Sequence, residues 1–291
     1  MADVTGTLTQ IFTYPIKSCA GTALPEARLT SLGIEHDRQW LIVDDVGQFQ
    51  TQRQIPHLAW IEPTVIGKSL QLSAPELPTI SVNFATSDAK KLAVNIWNDR
   101  LLALDMGDMA AQWLDEFLEV PGRHFRLVQF DRKQSRFSDQ TWCGDWPAAL
   151  QFADGFAVNV LSEASLTHFN ERLMEMGLDP VDARRFRPNL VIDGLEPHEE
   201  DQIGKLRLKA GDSHLELELV KPCPRCQIPD INPDTAIKET EITDALIRYR
   251  QLPSMDHAVC FAMNAVVRSK SAAILKLGMQ YEADYRFKES H

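Results

Sequence analysis

Two cysteines three residues apart, Cys223 and Cys226, are the residues of this chain whose types and spacing point most directly to chemistry. They lie in the segment KPCPRCQIPDINPDT, which follows the strand-like stretch HLELELV. The chain has five cysteines, and the other three stand alone at Cys19, Cys143 and Cys260. A pair at this spacing occurs in zinc sites, in redox-active dithiols, in apolar cores, and where one thiolate binds a metal.

A structural zinc site and a redox-active dithiol are both disfavoured by the residues around the pair. Structural zinc takes four ligands, usually from a second Cys-x-x-Cys or two spaced histidines, and the sequence offers neither after Cys226. A thioredoxin-like pair begins a helix, whereas Pro229 and Pro233 interrupt a helix here. Two interpretations remain open: cysteines without chemistry, or a single thiolate ligand to a metal whose other ligands come from a cofactor.

Composition limits the classes of protein that the chain can represent. Its 291 residues are 44% hydrophobic and carry a net charge of −11, which is typical of a globular protein and argues against nonspecific binding to nucleic acid or anionic membranes. The N-terminus lacks the pattern of a secretory signal, and the most apolar stretch, AVCFAMNAVV, is too short to span a membrane. We therefore expect a cytoplasmic protein without a membrane span, with reduced cysteines.

Short strands at close intervals dominate the first hundred residues, which is typical of a barrel or sandwich. The predicted strands are GTLTQIFTYPI, the hairpin RQWLIVDDVGQFQTQR, LAWIEPTV, SLQLSA, TISVNFA, LAVNIW and LLALDM. The spacing of apolar residues in GDMAAQWLDEFLEV then predicts a helix with Asp108 as its N-cap. We predict that a β-barrel-like domain occupies residues 1–120.

Strands and helices mix in the second predicted domain, residues 121–291. Its predicted strands are HFRLVQFD, FAVNV, NLVIDG, GKLRLKAG, HLELELV, HAVCFAMNAVV and ILKLGMQYE. One helix begins after Ser162 and stops at Gly177, and another covers TDALIRYRQ, whereas QSRFSDQTWCGDWPA is expected to be a surface loop. The predicted fold class is α+β and strand-dominated: an N-terminal β-barrel-like domain followed by a second barrel with flanking helices.

Six segments, taken in order, resemble the MOSC-domain family. They are YPIKSCAG, HDRQWLIVD, DMGDMAAQWLDEFL, LSEASL, RFRPNLVIDG and CPRCQIPDINPDT. The chain is most similar to the two-part type with an N-terminal β-barrel domain, which includes the mitochondrial amidoxime-reducing components and their bacterial relatives. Each segment alone is a weak signal, but the six together extend over nearly the whole chain.

The resemblance implies a molybdenum cofactor of the molybdopterin type, bound between the two domains, with Cys226 as the protein ligand to the metal. The cofactor contacts that it implies are Lys17, Ser18, Arg38, Asp154, Arg187 and Asn189, with Arg225 beside the ligand. Physical chemistry agrees, because an acidic chain that binds this anion must supply local positive charge and planar donors. Cys223 is expected to be a structural or neighbouring thiol.

The activity that the resemblance implies is reduction of N-hydroxylated compounds such as amidoximes and hydroxylamines, with Cys226 as the catalytic metal ligand. Electrons are expected from separate proteins, because the sequence lacks the clustered cysteines of an iron–sulfur domain. One alternative is a cofactor-binding or sulfur-carrier protein with a persulfide on Cys226, and another is a binding module for a small anion. The departures from the family pattern at Pro229, Asp230, Asn232 and Ala236 bear on the substrate.

Overall fold

The computed structural model describes residues 2–210, 213–269 and 271–286, in which strands predominate. The first part of the chain contains β1 (Val4–Thr13), β2 (Thr22–Ala23), β3 (Glu26–Thr30), β4 (Gly33–Ile34), β5 (Trp40–Asp44), β6 (Glu62–Ile66), β7 (Ser69–Ala74), β8 (Leu77–Asn83), β9 (Lys91–Ile96), β10 (Asp99–Asp105) and β11 (Phe125–Phe130). The rest contains β12 (Arg136–Phe137), β13 (Ala149–Leu150), β14 (Val158–Ser162), β15 (Leu190–Ile192), β16 (Ile203–Ala210), β17 (Ser213–Pro224), β18 (Gln251–Leu252), β19 (Ala258–Val267), β20 (Ala273–Lys276) and β21 (Gln280–Tyr285).

Helices are fewer and shorter. The α-helices are α1 (Asp108–Leu118), α2 (Gln140–Cys143), α3 (Glu163–Glu175) and α4 (Glu241–Ile247). Short 3₁₀ helices cover Pro56–Trp60, Ala183–Phe186, Glu199–Gln202, Ile228–Asp230 and Pro253–Met255. Across the described ranges, none of the helices combines the length and the apolar character that crossing a bilayer requires.

Seven of the described strands close into a barrel in the order β14-β15-β1-β21-β16-β17-β19, and β19 pairs back with β14. The side chains that alternate inward fill its interior, as Leu8, Leu206 and Leu217 show. The first strand of the chain thus lies between β15 and β21. The strand-dominated fold class predicted from sequence is confirmed.

The N-terminal half builds two further antiparallel sheets, β5-β11-β10-β9 and β6-β7-β8. Helix α1 packs against β11 and β8, and it buries Leu114 in a core with Trp40 and Leu127. Strand pairing joins residues from the two sides of position 120. Strand β11, which follows this position, pairs with β5 and β10, which precede it. Strand β1, from the N-terminus, belongs to the barrel that the later strands form. The division at residue 120 stays a prediction.

Several local predictions need correction. Gly107, with a φ of 93°, is the N-cap of α1, and Asp108 instead accepts hydrogen bonds from Arg126 at 3.0 Å. The expected surface loop QSRFSDQTWCGDWPA contains β12 and α2 and buries Arg136 and Cys143. The LAW of LAWIEPTV belongs to a 3₁₀ helix, and ILKLGMQYE divides into β20 and β21. Ser162 occupies the predicted N-cap position of α3, but its hydroxyl makes no capping hydrogen bond.

Candidate functional site

A cavity of about 370 Å³ lies where the turns after β1 and β4 meet the barrel strands β14, β17 and β19. We call it the cofactor cavity. It brings together all the residues that the sequence connected with a cofactor, together with the neighbouring thiol: Lys17, Ser18, Arg38, Asp154, Arg187, Asn189, Cys223, Arg225 and Cys226. The structure places these residues in one site, and their individual roles stay predictions.

Left-handed backbone carries three of these side chains into the cavity. Ser18, Arg38 and Arg187 have φ angles of 65°, 48° and 54°. Such angles are uncommon outside glycine and concentrate at sites where the surrounding structure enforces them. Here the enforcing contacts include a backbone hydrogen bond from Arg38 N to Tyr14 O at 2.8 Å. The turns are therefore shaped to present side chains rather than merely to connect strands.

The Arg187 guanidinium is held on one side and free on the other. Its Nη1 donates to the carbonyl oxygen of Cys19 at 2.7 Å, whereas its Nη2 is buried and has no hydrogen-bond partner among the described residues. Burial lowers the pKa of Arg187 to about 10. A desolvated guanidinium with a free N–H group is suited to binding an anion.

Arg38 is fixed by a dense set of hydrogen bonds beside Arg187. Its Nη1 donates to Asp37 Oδ2 at 2.5 Å and to Asn189 Oδ1 at 3.1 Å, and its Nη2 donates to the Arg187 carbonyl oxygen at 3.1 Å. Burial raises the pKa of Asp37, although the charge of Arg38 opposes that change. Arg38 is thus a preorganised donor. Its position depends on Asp37, its neighbour in the chain, and on Arg187 and Asn189, which lie far away in the sequence.

Lys17 forms an ion pair with Asp154 at the edge of the cavity. Burial lowers the pKa of Lys17, whose side chain is almost fully covered, while the Asp154 side chain is 59% exposed. Desolvation works to raise the pKa of Asp154, but the charge of Lys17 and hydrogen bonds from Lys17 and Trp97 outweigh it and hold the pKa at about 2. An anion in the cavity would therefore approach Lys17 beside a carboxylate that stays charged.

The two cysteines differ in position. Cys223 lies within β17, and Cys226 follows the strand end with an exposed side chain. Arg225 Nη1 donates to Cys223 Sγ at 3.2 Å, and its Nη2 donates to Phe186 O at 2.8 Å. In the part of the chain that the structure describes, no three His, Cys, Asp or Glu side chains converge as a metal-binding group. Of the two cysteines that line this cavity, Cys226 has the exposed side chain, whereas Cys223 is half-buried.

The buried polar atoms without hydrogen-bond partners indicate which kind of ligand the cavity can bind. Arg187 Nη2, Arg225 Nε and Asn159 Oδ1 are buried and unpartnered within the described ranges, and all three residues line the cavity. They offer two donors and one acceptor. The cations that line it are Lys17, Arg38, Arg187, Lys221 and Arg225, against one carboxylate, Asp154, among its described lining residues. These groups fit a phosphate-bearing pterin, which is an anion that also carries N–H groups.

The sequence alone missed several lining residues, among them Trp97, Asn159, Lys221 and Asn264. Asn159 and Asn264 face each other across β14 and β19, as the single amides of two largely apolar strands. An isolated amide in an apolar strand can be recognised from sequence as a candidate site residue, because a buried amide needs hydrogen-bond partners. Trp97 occupies the β9–β10 turn with a φ of 53° and donates from Nε1 to Asp154 Oδ1 at 2.7 Å. No sequence pattern marked that contact.

The fold and the cavity define a strand-dominated protein with a preformed cationic site. Residues 5–121 match the MOSC N-terminal beta barrel domain, and residues 147–275 match the MOSC domain. The chain therefore belongs to the MOSC-domain family, which confirms the resemblance found in the sequence.

Curated relatives agree with this assignment. The chain is 32% identical over 261 residues to mitochondrial amidoxime reducing component 2 of Rattus norvegicus, which covers 84% of this chain and 72% of the relative. It is 32% identical over 257 residues to mitochondrial amidoxime-reducing component 1 of Homo sapiens, with the same coverage. It is also 32% identical over 261 residues to a molybdenum cofactor sulfurase of Oryza sativa subsp. japonica, covering 84% of this chain and 31% of that protein.

Proposed function

We propose that this protein binds a molybdenum cofactor in the cofactor cavity and reduces N-hydroxylated compounds such as amidoximes and hydroxylamines. One observation carries the proposal: Arg187, whose buried Nη2 has no hydrogen-bond partner among the described residues, lines the same cavity as Cys226, whose side chain is exposed. An anion-binding donor and a soft metal ligand thus occur in one site. The names of the amidoxime-reducing relatives support the reaction class.

We propose the following roles for residues of the cavity. Cys226 would ligate the metal. Arg187 and Lys17 would neutralise the anionic part of the cofactor, and Ser18 would donate its hydroxyl. The Oδ1 of Asn189 accepts hydrogen bonds from Arg38 Nη1 and from the Asn159 backbone N–H, at 3.1 Å each. Asn189 would therefore hold the Arg38 guanidinium in position. When bound, the cofactor supplies the redox chemistry.

The reaction balances with two electrons and two protons, which convert an amidoxime into an amidine and water. We propose that a separate electron-transfer protein delivers the electrons and that the substrate is a small molecule. A cytoplasmic location stays a prediction. The side chains of the cavity bind and orient, and none of them needs to act as a nucleophile.

Metal and pterin analysis of protein from a host that makes the cofactor tests the proposal. We compare wild type with Cys226→Ser and the matched control Cys223→Ser. Near-stoichiometric molybdenum that is lost or spectrally altered only in Cys226→Ser, together with loss of amidoxime reduction in that variant, is expected. Zinc lost from both variants, or undiminished reduction by Cys226→Ser with reconstituted electron partners, would contradict the proposal.

A second function is favoured by the exposure of Cys226 and by the similarity to the rice sulfurase. In this alternative, the protein binds the cofactor or carries a persulfide on Cys226 without reductase turnover. Incubation with a cysteine desulfurase and cysteine, followed by mass spectrometry, distinguishes the two functions. One added sulfur atom on Cys226, with no turnover of hydroxylamines by molybdenum-loaded protein, would favour the carrier.

A further inference from the structure

Three polar side chains form a row across neighbouring strands of the barrel at the cofactor cavity. Asn159 of β14 pairs with Asn264 of β19, and Asn264 pairs in turn with Lys221 of β17. All three residues line the cofactor cavity. We call them the polar row. Neighbouring strands lie about 4.8 Å apart, so the row spans roughly 10 Å, which suits the edge of a flat ring system better than a single small ion.

A β-bulge brings Lys221 into this row. Leu219 pairs with Ala265, and both side chains belong to the apolar core of the barrel. The register then shifts, so that Lys221, two residues after Leu219, pairs with Asn264, the direct neighbour of Ala265. Strict alternation along β17 would have directed Lys221 into the core together with Leu219. The bulge thus turns the lysine to the outer face of the barrel, where the cavity lies.

Asn159 presents a hydrogen-bond acceptor to the cavity. Its Nδ2 donates to the Met263 carbonyl oxygen at 3.3 Å, which fixes the orientation of the amide, because the opposite orientation would place two oxygens against each other. Its Oδ1 is buried without a partner among the described residues, and the residue is only 8% exposed. A buried acceptor without a partner is unfavourable, so a ligand with an N–H group at this position gains a hydrogen bond and removes that cost.

Lys221 supplies donors at the other end of the polar row. Its Nζ lies 4.9 Å from the centre of the Trp142 ring, a cation–π contact that holds the ammonium group in place. An ammonium group only donates hydrogen bonds, whereas the amide of Asn264 can donate or accept. From Lys221 to Asn159, the row therefore offers a donor, a group that can act either way, and an acceptor.

The aminopyrimidinone edge of a pterin carries the complementary groups in the same order: a carbonyl oxygen that accepts, a ring N–H that donates and an amino group that donates. We propose that the polar row binds this edge of the cofactor. Lys221 donates to the carbonyl oxygen, Asn264 accepts from the ring N–H, and Asn159 Oδ1 accepts from the amino group. This inference rests on the proposed function and specifies which wall of the cavity recognises the pterin ring. Guanine carries the same edge, so a guanine nucleotide is the competing source of this chemistry.

Fluorescence titration of cofactor-free protein tests the inference with pterin and with lumazine, in which a carbonyl oxygen replaces the amino group. Wild type should bind pterin at least about tenfold more tightly, because lumazine sets an acceptor against Asn159 Oδ1. Asn159→Leu should abolish this preference by weakening the binding of pterin alone. Lys221→Met should weaken both ligands alike, because both carry the carbonyl oxygen. The control Lys276→Met, at an exposed lysine that does not line the cavity, should change neither affinity.

Equal affinities of wild type for pterin and lumazine would overturn the inference, as would a preference that survives in Asn159→Leu. Failure of pterin to bind up to its solubility limit would also overturn it. The comparison of the two ligands in wild type needs no substitution, so it decides the question even if urea denaturation shows that Asn159→Leu is poorly folded. Tighter binding of guanosine than of pterin, with the same dependence on Asn159, would overturn the assignment to the pterin.

Molybdenum analysis separates this inference from the proposed function. If wild type acquires molybdenum and reduces amidoximes but does not prefer pterin to lumazine, the inference fails and the proposed function stands. If wild type prefers pterin in a manner that depends on Asn159 but neither acquires molybdenum nor reduces amidoximes, the proposed function fails and the polar row still recognises a pterin.

Discussion

The guanidinium carbon of Arg187 lies 4.2 Å from the centre of the Tyr14 ring. Arg38 approaches the same ring at 4.4 Å. Burial raises the pKa of Tyr14 to about 12, so the phenol stays neutral and both contacts are cation–π contacts. An aromatic ring that attracts both cations offsets their mutual repulsion. Tyr14 therefore holds in one place the two guanidiniums that the cofactor cavity needs.

Gly21 leaves the space that this ring occupies. A Cβ at Gly21 would lie 2.2 Å from Tyr14 Cε1, so Gly21→Ala must displace the ring. We expect the free energy of unfolding to fall by about 1–3 kcal/mol, because the site is overpacked. Molybdenum content should fall with it, since both guanidiniums lose their support. Urea denaturation and metal analysis measure the two effects. Gly155→Ala, where a Cβ meets open space, should leave stability within about 0.5 kcal/mol.

Replacement of Arg187 should separate stability from cofactor binding. Arg187→Met removes a desolvated cation whose Nη2 has no partner in the described structure, and keeps a side chain of similar length. Removal of the buried charge and loss of the donor to the Cys19 carbonyl oxygen act in opposite directions, so the free energy of unfolding of cofactor-free protein should change by no more than about 1 kcal/mol, while molybdenum content falls sharply. Arg28→Met, at an exposed ion pair with Glu35, is the control and should retain the metal. A large loss of stability in Arg187→Met would show that Arg187 is structural.

Adjacent arginines provide a matched test of how residues 228–239 are held in place. Arg185→Ala leaves the Pro229 carbonyl oxygen without its donor, removes one of two donors to the Asp230 carbonyl oxygen and breaks the ion pair with Glu239, so we expect stability to fall by roughly 1–3 kcal/mol. Amide hydrogen exchange should accelerate across residues 228–239. Arg184→Ala breaks partly exposed ion pairs and should cost no more than about 1 kcal/mol. Equal effects of the two substitutions would mean that Arg185 does not anchor this segment.

Glu200 makes stability depend on pH. Its carboxylate is 1% exposed and accepts from Ser165 Oγ at 2.7 Å, and burial, reinforced by the charge of Asp201, raises its pKa from 4.5 to about 7. The pKa of Glu200 is higher in the folded state than in the unfolded state, so its protonated carboxyl group contributes stability to the fold. This contribution is fully present below pH 4.5 and is lost as the pH rises through 7. Glu200→Gln should therefore be more stable than wild type at pH 8, by on the order of 3 kcal/mol.

The excess stability of Glu200→Gln should shrink as the pH falls toward 4.5, which urea denaturation across the pH range can follow. Glu171→Gln, at an exposed carboxylate on α3, is the control and should show no such trend. A difference between Glu200→Gln and wild type that is constant across this range would contradict the raised pKa.

Motifs and local periodicity predicted much of the fold and many of the residues in the candidate site. The strands and the helix after Ser162 follow from patterns within ten or so residues, and so they could be predicted from sequence. Asp108 was mistaken for an N-cap because the competing choice, a glycine with positive φ, depends on how α1 meets β10. The buried loop around Cys143 was missed because its polar composition does not reveal its contacts with the barrel.

The sequence by itself determined the strand-dominated class, the family and the candidate residues, because these depend on residue type, order and short-range spacing. Tertiary structure decided which distant residues meet. Lys17 and Asp154 are 137 residues apart, and Trp60 and Asp234 are 174 apart, yet both pairs are in contact. Closure of the barrel through β1 brings such segments together, and no local pattern encodes that closure. The cofactor cavity follows from the same long-range packing.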